Sequence, residues 1–242
     1  MNHIVMSEEL LISMIDVYAR SNNLEKAEHY ARLVKKNKTL AWTAFLAGCK
    51  KVVDYSTVRR IRKEFPFLEK DASAMVLMSN VAAVAGEYGE KDKMREMMDE
   101  RNLKKIPGVS YVVLQNGQVH RYTVEDEKVP KKAIDMIDSI YFKIAENYNY
   151  VADVSCVLRK FPDREVAITH LHRHSEKLAL GMALTEPGNH TIDITENLRM
   201  CMDCHNFIEK TSNLYPSRKI IIEDTARSHI FMNGSCSCGG DY

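Results

Sequence analysis

The chain concentrates its metal-binding residues at one end. Of six cysteines, four fall in the last 42 residues, at 201, 204, 236 and 238, and histidines stand among them. The stretch "LRMCMDCHNF" puts Cys201 and Cys204 three apart with His205 directly after. Residues three apart share a helix face, whereas neighbours point about 100° apart. Cys204 and His205 therefore cannot easily serve one ion, and the stretch predicts two metal sites back to back. A secreted disulfide scaffold would spread its cysteines and lack the histidines, so this pattern indicates metal in a reducing compartment.

The rest of the chain is ordinary enough to build a core. It has 242 residues, 45% hydrophobic and 28% charged, with net charge +1. Near-neutrality argues against an indiscriminate grip on nucleic acid but allows a local basic groove. A run of about 18 apolar residues, the length of a membrane span, is missing. The opening "MNHIVMSEELLISMIDVYAR" lacks a basic n-region and a cleavage site, so no signal peptide is expected, and the chain reads as starting inside a longer protein.

Residues 8–102 read as helices. "EELLISMIDVYARS", "NLEKAEHYARLVKK", "LAWTAFLAGCKK", "YSTVRRIRKEF", "ASAMVLMSNVAAVAGEYG" and "EKDKMREMMDERNL" repeat apolar residues at i, i+3 and i+4. Helix pairs of about 34 residues suggest a tetratricopeptide-like solenoid. Trp42 is assigned to the core. Pro107–Gly108 changes the period. "SYVVL" and "QVHRYTV" flank Asn116–Gly117, a hairpin signal. A long helix is expected after Pro130, then one helix over about 163–182. "HTIDIT" and "RKIIIEDT" read as strands, the segment from Cys201 as a helix, and "SHIFMNGSCSCGG" as a turn region around Asn233–Gly234. Helices alternating with strands over 105–242 predict an α/β sandwich.

Two thiolates and one imidazole make three ligands, and a catalytic zinc has three with a fourth position for water. His174 in "HSE" is the natural third ligand to Cys201 and Cys204, and Glu176 is placed to stay off the metal and move protons. At a helix start the dipole favours the thiolates. The pattern matches the H-x-E then P-C-x-x-C signature of zinc nucleobase deaminases, with Met200 where the signature has proline. His205, His229, Cys236 and Cys238 remain as a closed four-ligand, structural set. The competing readings are plainer. A lone C-x-x-C can be a redox dithiol, though no thioredoxin-like context surrounds it. His170 and His172 compete with His174 for the metal, His170 from one helical turn away. His3, His29, His120 and His190 read as structural or exposed, Cys49 and Cys156 as buried thiols, and the 13 methionines as core filler.

"HSEKLAL", "CMDCHNF" and "HIFMNGSCSCGGDY" resemble the DYW deaminase domain of plant-type pentatricopeptide repeat proteins. "KKIPGVSYV" with "GQVHRY" resembles the preceding PG box. "LAWTAFLAGCK" and "LMSNVAAVAGEYGEKDKMREMM" resemble the E1 and E2 motifs, and "MIDVYARSNNLEKAEHYARLV" the final short repeat. The resemblance divides the chain into a repeat (1–39), E1/E2 motifs (40–104), a PG-box hairpin (105–130) and a deaminase domain with a zinc-binding tail (131–242). It implies a cytidine deaminase-like α/β/α sandwich behind an all-α repeat region. The implied activity is C-to-U editing of single-stranded RNA in mitochondria or chloroplasts. It also implies a catalytic zinc on His174, Cys201 and Cys204, with Glu176 as proton shuttle and a second zinc on His205, His229, Cys236 and Cys238. A gating element over the catalytic zinc, an upstream repeat array that chooses the RNA, and other organellar editing factors as partners come with the family; a membrane does not. The tail departs from the family: Gly239–Gly240 holds an extra glycine, and the chain ends Asp241–Tyr242 without tryptophan. The rival expectation is a non-catalytic two-zinc scaffold that recruits an editing partner.

Overall fold

The computed structural model describes residues 6–104, 106–157 and 161–240. His3 and the Asp241–Tyr242 terminus lie outside them. The chain divides into two compact units, 1–106 and 107–242, each taken by itself below.

The first unit is all helical: α1 (Glu8–Arg20), α2 (Leu24–Leu33), α3 (Lys38–Val52), α4 (Tyr55–Glu64), a short 3₁₀ turn (Pro66–Lys70), α5 (Ala72–Val84) and α6 (Tyr88–Glu100). The helices start where polar caps allow. Ser7, Asn23, Asp54 and Asp71 each accept the backbone N–H three residues on, supplying a partner that a helix start otherwise lacks. The first helices of the pairs, α1, α3 and α5, pack in a row, and each also meets its own second helix. Gly48 makes this possible between α3 and α1, because a Cβ there would come within 2.5 Å of the Ala19 side chain. Trp42, Phe45, Ile61, Leu68, Met75, Met78 and Met94 are sealed inside.

The second unit carries the sheet. Its elements are β1 (Val109–Val113), β2 (Val119–Thr123), α7 (Lys131–Tyr148), α8 (Arg164–His172), α9 (Ser175–Leu184), β3 (Ile192–Glu196), α10 (Met202–Leu214), β4 (Ile220–Glu223), β5 (Ser228–Met232) and β6 (Ser235–Cys236). The six strands run in the order β2-β1-β3-β4-β5-β6, with only β3 and β4 parallel. Parallel neighbours need a crossover, and α10 supplies it.

Two of the three hairpins follow from turn chemistry. Gly117 N–H donates to the Leu114 carbonyl, and Gly117 holds φ 79°. This is a three-residue loop with a left-handed third residue, not a two-residue Asn–Gly turn. Asn233 (φ 48°) and Gly234 (φ 72°) are both left-handed and join β5 to β6 in the two-residue primed form.

One face of the sheet is covered. Val112, Ile192, Ile194, Ile220, Ile222 and Phe231 face α7, α9 and α10 in a continuous core. Helices α7 and α9 approach closely at Gly181, where a Cβ would meet the Ala133 carbonyl at 2.7 Å. The opposite face carries exposed Tyr111, Val113 and Val119. The unit is therefore a mixed helix-and-sheet fold with its helices on one side. The second helical layer of an α/β/α sandwich is not found among the described residues.

A second difference concerns the stretch expected as one helix over 163–182. It is two, α8 and α9, broken at Arg173–His174. The Glu125 backbone N–H donates to the Arg173 carbonyl, drawing it out of the helical ladder. His174 then adopts extended backbone as the cap of α9, so His170 and His174 do not share a helix face.

Candidate metal centres

Two groups of donors converge. The Nδ1 of His174 lies 3.6 Å from the Cys201 sulfur and 3.4 Å from the Cys204 sulfur. His205 Nε2 lies 3.2 Å from the Cys238 sulfur, and His229 Nδ1 lies 3.5 Å from the Cys236 sulfur. Within each group the donor atoms all fall within 4.8 Å of one another. Such spacing fits the edge of a coordination polyhedron around one ion, and soft sulfur with imidazole is the donor chemistry of zinc.

The three-donor group is assembled by two helix starts. His174 caps α9 and Cys201 caps α10, where its sulfur accepts the Cys204 N–H at 3.4 Å. Both helix dipoles present their positive ends there, which stabilises thiolate. The Cys201 thiol is held well below its usual range because Cys156, Cys204 and His174 donate to it, against the opposing effect of burial. Glu176, in the first turn of α9, is buried and outside the donor group. Its Oε2 accepts the Ser175 hydroxyl at 3.1 Å, and Ser175 accepts the Ser110 hydroxyl from β1 at 2.9 Å.

The four-donor group closes the tail onto α10. His205 faces it from the buried side of that helix, His229 comes from β5, and Cys236 and Cys238 follow the Asn233–Gly234 turn. Burial, then the neighbouring His229, pushes the His205 imidazole down to about 4, so it is neutral and ready to ligate. Asp224 faces His229 Nε2 at 3.5 Å and accepts from the backbone N–H groups of Met200, Ala226 and Arg227. These contacts outweigh burial and hold its carboxyl well below the carboxylate range. Facing the far nitrogen of the ring, Asp224 fixes how His229 turns its Nδ1 toward Cys236. Through Met200 it also fixes the residue preceding Cys201.

The competing histidines go elsewhere. His170 pairs with Glu125 at 2.8 Å, and His172 faces Asp138 at 3.3 Å. His190 takes Arg218 at 2.7 Å. Cys49 is a plain buried thiol, pushed up to about 12 by burial. Cys156 is not: it is half-buried, with its thiol against the Cys201 sulfur and 3.6 Å from Asp153.

Sequence reasoning missed three features. Lys177 is fully buried and pairs with fully buried Asp203, which also accepts the Tyr150 hydroxyl at 2.6 Å and the Asp153 N–H at 2.8 Å. This network ties α9 to α10 directly behind the three-donor group. Asp224 is the second. Glu196 is the third: strand alternation over "IDITE" puts it on the same inward face as Ile192 and Ile194, a signal open to reading.

A mixed α/β unit that gathers one three-donor His/Cys group beside a buried carboxylate and one four-donor His/Cys group has the side chains to hold two metal ions. The family follows from the sequence match. Residues 149–242 belong to the DYW family of nucleic acid deaminases, and residues 57–113 match the E motif. Similar proteins in Arabidopsis thaliana are pentatricopeptide repeat-containing proteins. One, named chloroplastic, is 31% identical over 97% of this chain and 25% of its own length. One, named mitochondrial, is 34% identical over 95% of this chain and 35% of its own length. A third is 36% identical over 93% of this chain and 39% of its own length. The chain thus spans well under half of these relatives.

Proposed function

We propose that this chain is part of a pentatricopeptide repeat protein and deaminates cytidine to uridine in single-stranded organellar RNA. One observation carries the reading: His174, Cys201 and Cys204 converge while Glu176, buried beside them, stays out of the donor group. Zinc bound by those three residues supplies Lewis acidity that brings the pKa of water to about 7. A second zinc on His205, His229, Cys236 and Cys238 is structural.

Glu176 does the proton work. Its carboxylate takes a proton from the attacking water and delivers it to N3 of the base. It then passes the second proton to the departing amine, so cytidine and water give uridine and ammonia. The Ser110–Ser175–Glu176 chain of hydrogen bonds fixes the carboxylate for this. The target base must be flipped out, since C4 is out of reach in a duplex.

The helical first unit, including the repeat assigned to 1–39, joins an RNA-reading array to the deaminase. Relatives named chloroplastic and mitochondrial support an organellar site and organellar editing partners. No described helix is long and apolar enough to cross a membrane. The test is the chain fused to a repeat array of known RNA target and loaded with zinc. C-to-U conversion at that target, lost in Glu176→Ala, supports the enzyme. Equal conversion by Glu176→Ala overturns the role of Glu176. No conversion by the zinc-loaded wild type favours a scaffold that recruits another editing protein.

A further inference from the structure

We propose that Asn197 is a positioning residue for the deaminase: its side-chain amide completes the last rung between β3 and β1, and through Ser110 and Ser175 it holds the Glu176 carboxylate in place. The inference rests on the reading of Glu176 given above and adds a residue to it.

The strand register places Asn197. Ser110 of β1 pairs with Glu196 of β3, so the next antiparallel rung joins Val109 to Asn197. In a hydrogen-bonded antiparallel pair the two residues exchange both backbone bonds. Here only one of them is backbone to backbone: the Asn197 N–H donates to the Val109 carbonyl at 3.2 Å. The other comes from the side chain, where Asn197 Oδ1 accepts the Val109 N–H at 2.8 Å. Asn197 Nδ2 then donates to the Pro107 carbonyl at 3.1 Å. One carboxamide thus offers an acceptor and a donor, as a peptide group of a neighbouring strand would. β3 ends at Glu196, and the chain turns off toward Cys201. The amide keeps β1 anchored past the point where the β3 backbone leaves it.

What it anchors is the support of the carboxylate. Val109 is followed by Ser110, which is fully buried. Ser110 Oγ donates to Ser175 Oγ at 2.9 Å, and Ser175 Oγ donates to Glu176 Oε2 at 3.1 Å. Gly108, inside the clamp, lies against the same serine: a Cβ there would stand 3.6 Å from Ser175 Oγ. The Pro107–Ser110 segment is therefore one wall beside Ser175, and Asn197 fixes where that wall stands. Asn197 also lies on the connection that leads to Cys201. It ties the carboxylate side of the site to the thiolate side, so releasing Val109 moves Glu176 relative to the three donors.

The experiment uses the zinc-loaded, array-fused chain and reads kinetics on RNA together with amide hydrogen exchange at Val109. Asn197→Asp keeps an acceptor of the same shape for the Val109 N–H, and Asn197→Ala removes it. The Val109 amide exchanges slowly in the wild type and in Asn197→Asp, and fast in Asn197→Ala. Asn197→Ala loses about 10²-fold in kcat, the cost of misplacing a catalytic group by about 1 Å, with KM, metal content and Tm near those of the wild type. Asn197→Asp retains most of the wild-type kcat. Ser110→Ala cuts the same line one step nearer Glu176, so Asn197→Ala combined with Ser110→Ala loses no more kcat than the larger single loss. Residues acting independently would add their losses. Exchange is read without activity, so an inactive wild type with Val109 protected, and unprotected in Asn197→Ala, would overturn the deaminase reading and leave the clamp standing. Full kcat in Asn197→Ala, equal kcat loss in Asn197→Asp, or additive losses with Ser110→Ala overturns the positioning role of Asn197.

Discussion

The two His/Cys groups share the first turn of one helix, yet they are built differently. Cys201 and Cys204 reach the first with a single histidine, His174, leaving three donors and a buried carboxylate that does not join them. His205, one residue further round α10, turns to the other side and meets three donors from β5, β6 and the residues after it. The first group sits where two helix starts meet, so its geometry is imposed by α9 and α10 from outside. The second draws its donors from a hairpin that has little core of its own, with β6 only two residues long. The difference teaches a division of labour. Helix packing builds the three-donor group, whereas a metal on the four-donor group would itself hold the tail hairpin.

The largest effect that sharpens this contrast is on stability. Cys238→Ser or His229→Ala opens the closed group, and structural zinc sites of this type contribute on the order of 10 kcal/mol of binding that is also folding free energy. A large drop in Tm, matched by chelation of the wild type, is expected by calorimetry. Cys201→Ser should leave Tm nearly unchanged while abolishing deamination. Equal Tm losses in both groups would break the comparison.

Next in size is Glu176→Gln. A positioned acid–base group contributes about 10² to 10⁴ in rate, so kcat should fall by that much with both metals and the Tm retained. A matching loss of metal would make Glu176 a ligand.

The ion pair behind the three-donor group comes third. Lys177→Met strands a fully buried Asp203 and should cost about 3–5 kcal/mol in denaturant unfolding. Adding Asp203→Asn removes the unpaired charge and should recover much of it. Lys177→Met should also displace His174 and Glu176, measured as weakened metal binding at the three-donor group with the four-donor group intact.

The smallest effect is a pH dependence. Burial, then the nearby Lys177, lowers the His172 imidazole to about 4, below its ordinary value of about 6.5. The folded state favours the neutral ring, so this contribution is fully present above about pH 6.5 and is lost as pH falls toward 4. Unfolding free energies measured across that window should slope downward with acid in the wild type. The slope should flatten in His172→Phe. An unchanged slope would show that the ring titrates alike in both states.

What was legible in the sequence divides along the same line. His174, Glu176, Cys201 and Cys204 could be grouped because their donor chemistry repeats at short, fixed spacings. The tail group was legible because cysteine pairs with a histidine nearby have few other uses in a reducing compartment. The Asn233–Gly234 turn followed from residues that tolerate positive φ, but β5 and β6, which it joins, were read only as part of a turn region. The break between α8 and α9 was not legible, because it is made by the Glu125 N–H, from a distant loop, claiming the Arg173 carbonyl. Lys177 and Asp203 look like surface residues until α9 and α10 are packed together. Tyr150 and Asp224 acquire their partners only in the fold. Exposure of one sheet face was equally hidden, since Tyr111 and Val113 alternate with Val112 as any two-sided strand would.

Counting zinc in the purified chain, beside deamination of a cytidine-containing RNA by the array-fused protein, decides whether the two groups hold separate metals with separate roles. Two zinc ions per chain are expected in the wild type and one in each of Cys204→Ser and Cys238→Ser, with deamination gone in the first and surviving in the second to the extent that it stays folded. A Cys204→Ser protein that keeps both ions, or that still converts C to U, would contradict that expectation.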